Sequence, residues 1–93
     1  MSPGGYLHEV ALFELPSPLF GARLMDHVGS ERFAWLQGDA VVGVVLTSDA
    51  LDVAQLLRTV QNWLASQGLE SIRFELDRRT YYLDSSPLPL LAG

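Results

Sequence analysis

The chain has 93 residues, a formal net charge of −5, 48% hydrophobic residues and 18% charged ones. That is one domain's length, with enough apolar material for a core and too little charge for a disordered chain. With no cysteine and no lysine, it excludes disulfides, thiol nucleophiles, cysteine-ligated metals, Schiff-base chemistry and a phosphate-loop lysine.

The basic residues are all arginines, Arg23, Arg32, Arg58, Arg73, Arg78 and Arg79, scattered except for the last pair. A nucleic-acid partner needs a basic face against its phosphates, so DNA and RNA are not expected partners. Uncharged runs such as 40–48 fall far short of the roughly 20 residues that span a bilayer, so no membrane is expected either. The stretch MSPGGYLHEV has neither a basic n-region nor an apolar h-region, and the expectation is a cytoplasmic protein.

Residues 1–6 read as a flexible lead. Residues 7–15, LHEVALFEL, alternate well enough for a strand, which Pro16 ends. In SPLFGARLMDHVG, Ser17 is a good N-cap, Pro18 suits the first helical position, and Phe20, Leu24 and Val28 recur every four residues. This predicts a short helix over 17–28 with Gly29 as a left-handed C′ residue; a strand over 20–28 is the rival.

Residues 32–46, RFAWLQGDAVVGVVL, read as a hairpin with a two-residue turn at Gly38-Asp39. That register opposes Trp35 to Val42 and Phe33 to Val44. One face then carries Phe33, Trp35, Val42, Val44 and Leu46; the other carries Ala34, Leu36, Val41, Gly43 and Val45. A half-buried strand alternates apolar and polar residues, whereas the run from Ala40 to Leu46 is unbroken, which predicts burial on both faces.

Residues 47–69 carry the main helix, over 49–68, capped by Ser48 or Asp49 and ended by Gly68. Val53, Leu56, Leu57, Val60, Trp63 and Leu64 make its apolar stripe. A second hairpin over 71–84 turns at Asp77-Arg78. Its register puts Ile72, Phe74, Leu76, Tyr81 and Leu83 inward, Arg73, Glu75, Thr80 and Tyr82 outward, and Arg73 opposite Tyr82, close enough to stack. A Pro-containing tail, 85–93, follows. These elements predict a single α+β domain over 1–93, in the order β-α-β-β-α-β-β. Its antiparallel sheet of four to five strands has both helices on one face, as in the split βαβ, or ferredoxin-like, plait.

Chemical motifs are sparse. The strand–turn–helix at VVLTSDALD offers a helix N-terminus to an anion, but Asp49 and Asp52 already complement the dipole there. His8-Glu9 and Asp26-His27 pair acid with imidazole, yet adjacent residues do not face each other on a strand or helix. No Ser sits in a G-x-S-x-G elbow. Arg78-Arg79 at a hairpin tip reads as a solvated turn. No catalytic set, metal site or cofactor is expected. If there is a ligand pocket, His8, His27, Tyr81 and Tyr82 are its candidates, with Trp63 as a further aromatic wall.

The second face of the first hairpin carries the functional expectation. Two helices cover one side of a sheet, and the face of Ala34, Leu36, Val41, Gly43 and Val45 is left without a lid. Apolar patches of several hundred Å² are seldom left in water. The expected function is therefore a non-enzymatic protein–protein interface, either a homodimer through that face or docking onto a larger protein partner. The alternative is a small dimeric enzyme or ligand-binding protein with a pocket between sheet and helices.

Overall fold

The structure, a computed structural model, describes residues 9–46 and 50–85. Seven elements follow one another: β1 (Glu9–Glu14), α1 (Pro18–Gly29), β2 (Ala34–Gln37), β3 (Val41–Leu46), α2 (Ala50–Gln67), β4 (Ser71–Leu76) and β5 (Arg79–Asp84). The strands form one antiparallel sheet in the order β2-β3-β1-β4-β5. With β3 antiparallel to both β1 and β2, those two run parallel around it. By the same reasoning β3 and β4 run parallel around β1. The result is two interlocked split βαβ units, with β5 added outside β4.

The local signals act much as their chemistry requires. Ser17 has extended backbone (φ −157°, ψ 162°), and its hydroxyl accepts from the Phe20 N–H at 3.4 Å. Pro18 follows at the first helical position, and the segment is a helix rather than a strand. Its end differs from expectation. Gly29 lies inside α1, and Ser30 caps the helix in ordinary right-handed backbone (φ −70°), its N–H donating to the Val28 carbonyl. The end of α2 does use a left-handed glycine. Gly68 has φ +74°, the Leu69 N–H donates to the Leu64 carbonyl at 3.0 Å, and the Gly68 N–H donates to Ala65 at 3.2 Å. This is a Schellman closure. The expected caps Ser48 and Asp49 lie outside the described residues, as do the lead 1–6 and residues 86–93.

The core lies between the sheet and the helices. β1 contributes Ala11 and Phe13, β3 contributes Val42, Val44 and Leu46, and the β4–β5 hairpin contributes Ile72, Phe74 and Leu83, all buried. α1 adds Leu24 and Val28; α2 adds Leu56, Val60, Trp63 and Leu64. The α2 stripe faces the sheet in the phase its spacing implies, with Val53 and Leu57 only partly buried at its margins. α1 packs over β2 and β3, and α2 reaches β5. Arg32, after α1, ties to Asp52 in the first turn of α2 at 2.8 Å.

The second hairpin has the register the sequence implies: Ile72 opposes Leu83, Arg73 opposes Tyr82 and Phe74 opposes Tyr81. Asp77 and Arg78 both have positive φ (55° and 65°), the type I′ signature.

The first hairpin does not. Trp35 opposes Gly43, Leu36 opposes Val42, and Gln37 opposes Val41, so the loop has three residues, Gly38, Asp39 and Ala40. The cause lies outside the hairpin. The Ala40 carbonyl accepts from the Leu15 N–H at 2.8 Å. Ala40 also packs beneath α1, where a Cβ on Gly21 would come within 3.2 Å of its Cα. These contacts hold Ala40 in the loop, and one added loop residue exchanges the faces of β2.

Candidate functional site

The corrected register redistributes the expected interface. Ala34 opposes Val44 and Leu36 opposes Val42, so both stand on the helix-covered side; Val41, Gly43 and Val45 stand on the other. Phe33 and Trp35, assigned from sequence to the helix side, stand with them instead. The Val45 N–H donates to the Phe33 carbonyl at 3.0 Å, and Trp35 faces Gly43. The β1 register adds Val10 opposite Val45 and Leu12 opposite Gly43.

No described helix covers this open face, and its two halves differ in chemistry. On β2, β3 and β1 it carries Phe33 (73% exposed), Trp35, Val41, Val45, Val10 (38% exposed) and Leu12, with the exposed Gln37 beside Val41 at its margin. The Trp35 side chain lies across Gly43, which is buried beneath it, and the Phe33 ring stands 6.2 Å from Trp35. Part of the missing lid is therefore a side chain of the hairpin itself. On β4 and β5 the face carries Ser71, Arg73, Glu75, Thr80, Tyr82 and Asp84. Glu14, at the end of β1, marks the boundary: its carboxylate accepts from Arg73 Nε at 3.0 Å and Nη2 at 2.8 Å. That hydrogen-bonded carboxylate raises the Arg73 guanidinium above its ordinary pKa. Arg73 opposes Tyr82 as expected, but its guanidinium engages Glu14.

The three described candidate pocket residues, His27, Tyr81 and Tyr82, are not brought to one place. Tyr81 and Tyr82 are neighbours on β5 and point to opposite sides of the sheet; Tyr81 stacks on Phe74 at 5.3 Å, on the helix side. His27 lies on α1, in an open groove of about 370 Å³ lined by Arg23, Asp26, Trp63, Ser66 and Gln67. Its ring centroid is 6.5 Å from that of Trp63, which Phe20 meets edge-on at the same distance. Two polar groups of this groove have internal partners: Arg23 donates to Gln67 at 3.1 Å, and the Ser66 hydroxyl donates to the Trp63 carbonyl at 2.7 Å. His8 lies outside the described residues.

Among the described residues there is no cluster of three or more His, Asp or Glu side chains placed to hold a metal ion, and no helix long and apolar enough to cross a membrane. Searches for relatives find no matching family model, no matching curated protein and no matching solved structure. What sequence reasoning missed here is Phe33 and Trp35. The glycine opposite Trp35 was the available signal, because a large aromatic folds readily over a strand glycine.

Proposed function

We propose that the protein is a cytoplasmic, non-enzymatic interaction module that self-associates through the apolar half of its open sheet face. One observation carries the reading: Phe33, Trp35, Val41, Val45, Val10 and Leu12 form an apolar surface, with Gln37 at its margin, and no described helix lies over it. A second copy is the favoured occupant because closed symmetric dimers are the commonest soluble assemblies. Charge sets how two copies meet. The other half of the face, with Glu14, holds one arginine and three carboxylates, Glu14, Glu75 and Asp84. Stacking those regions on each other would oppose like charges, so the apolar halves meet and the charged halves stay at the rim.

The rival pocket between sheet and helices has less support, because buried side chains from both layers fill that space. Nucleic acid has less support: Arg32 and Arg73 are engaged by Asp52 and Glu14, Arg23 and Arg58 lie on separate helices, and Arg78-Arg79 is one exposed pair at a hairpin tip, short of a basic face. The test is sedimentation of the wild type against Val45→Glu and Phe33→Glu. An unpaired carboxylate in a dry interface costs several kcal/mol, so both variants are expected to lower the assembly mass while circular dichroism stays native. Unchanged mass in both variants sinks this reading, and leaves residues 86–93 or a different protein as the cover.

A further inference from the structure

The edge of the sheet at β5 points to a second contact, independent of the open face. β5 is six residues long, RTYYLD, without proline, lysine or bulge, and no described strand pairs with its outer side. Proteins usually blunt such edges; β2, at the opposite edge, has only four residues. The hairpin register fixes which backbone groups are unspent. Arg79 opposes Leu76 across a two-residue turn, and the Ser85 N–H donates to the Glu70 carbonyl at 2.7 Å. The odd-numbered residues therefore spend their backbone groups on β4, and Thr80, Tyr82 and Asp84 aim theirs outward.

Two further features of this edge are each left incomplete within one chain. The first is an aromatic ladder across the sheet on the helix side. Phe13 opposes Phe74, and Phe74 opposes Tyr81. The ring centroids are 5.4 and 5.3 Å apart, with interplanar angles of 27° and 25°. The ladder stops at Tyr81, still 41% exposed. The second is charge polarity. The edge begins at the exposed pair Arg78-Arg79 and ends at the exposed Asp84, with Thr80, Tyr81, Tyr82 and the buried Leu83 between. An antiparallel copy of the same strand complements both.

We propose that β5 pairs antiparallel with β5 of a second copy, about a two-fold axis at Tyr81, extending the two sheets into one. A two-fold normal to the sheet keeps each face on its own side, so opposed residues must share a face. Register shifts are therefore limited to even steps. Placing Tyr81 opposite Tyr81 of the second copy continues the aromatic ladder and brings Arg78, the turn residue one position before β5, alongside Asp84 of that copy. Thr80 and Tyr82 then become the hydrogen-bonded pairs, using the outward backbone groups. Tyr81 falls at a non-hydrogen-bonded position, where opposed side chains come closest.

The lack of cysteine gives this register a clean test. Opposed Cα atoms at such a position are about 4.5 Å apart, within disulfide reach. Residues 80 and 82 meet their own copies only diagonally, at about 7–8 Å. Under copper phenanthroline, Tyr81→Cys is expected to form a covalent dimer about tenfold faster than Tyr82→Cys or Thr80→Cys. Equal rates, faster coupling at position 82, or none at all would overturn the register. Sedimentation in a Val45→Glu background, which removes the open-face contact, separates this proposal from the previous one. A dimer is expected there. Tyr82→Pro, which deletes an outward N–H and spares the β4 ladder, should reduce it to monomer. Asp84→Arg should weaken it, and Arg78→Asp added to Asp84→Arg should restore it. A monomer in the Val45→Glu background itself, with native circular dichroism, sinks the edge contact.

Discussion

The Trp35 indole lies directly over Gly43, its cross-strand partner, and a Cβ on Gly43 would overlap ring atoms Cζ2 and Cε2. Glycine thus lets one bulky side chain cover sheet backbone that would otherwise face water. Gly43→Ala must displace the ring, and we expect it to destabilise the fold by about 1–3 kcal/mol. In a Trp35→Val background the same substitution should cost much less, because the clash disappears with the ring. Urea melts of the single and double variants check the coupling; additive losses would mean that the two residues do not act together.

Helix α2 offers a test of phase. Leu56 is fully buried, and its neighbour Leu57 is only partly so. Leu56→Ala should cost about 2–5 kcal/mol and Leu57→Ala about half as much or less. Denaturant midpoints that rank the two in reverse would place the helix in the wrong rotation.

Arg32 and Asp52 join the end of α1 to the start of α2 across 20 positions, with side chains 18% and 23% exposed. A partly shielded, hydrogen-bonded pair should show a coupling of about 1 kcal/mol in a double-mutant cycle of Arg32→Gln and Asp52→Asn. The cycle cancels what Asp52 contributes through the helix dipole. Zero coupling would make the pair incidental to helix docking.

The Asp77-Arg78 turn holds both residues at positive φ. Glycine adopts that backbone without a Cβ penalty, and Asp-Gly is a favoured type I′ pair. Arg78→Gly is therefore expected to raise stability by about 0.5–1 kcal/mol. Thermal melts at a concentration low enough to avoid association isolate the monomer's gain. A loss would mean that the Arg78 side chain makes contacts worth more than the strain relieved.

Where adjacent residues decide the outcome the sequence by itself was sufficient in most places, the end of α1 at Gly29-Ser30 being the exception. Ser17-Pro18 starts α1, Gly68 ends α2, the spacing of Leu56, Val60 and Trp63 sets the buried stripe, and Asp77-Arg78 sets the register of β4 and β5. The element order and the helix-covered sheet followed from those signals. The first hairpin could not be read this way, because both faces of β2 and β3 are apolar and hydrophobic pattern no longer distinguishes one register from the next. Tertiary contacts decided it: Leu15 donates to the Ala40 carbonyl and Gly21 admits Ala40 against α1, which adds a residue to the loop. That one residue moved Trp35 and Phe33 onto the open face and Ala34 and Leu36 off it. The candidate surface was legible as a place in the chain, but its membership was set by packing 19 to 25 positions away in sequence, beyond the reach of any local pattern.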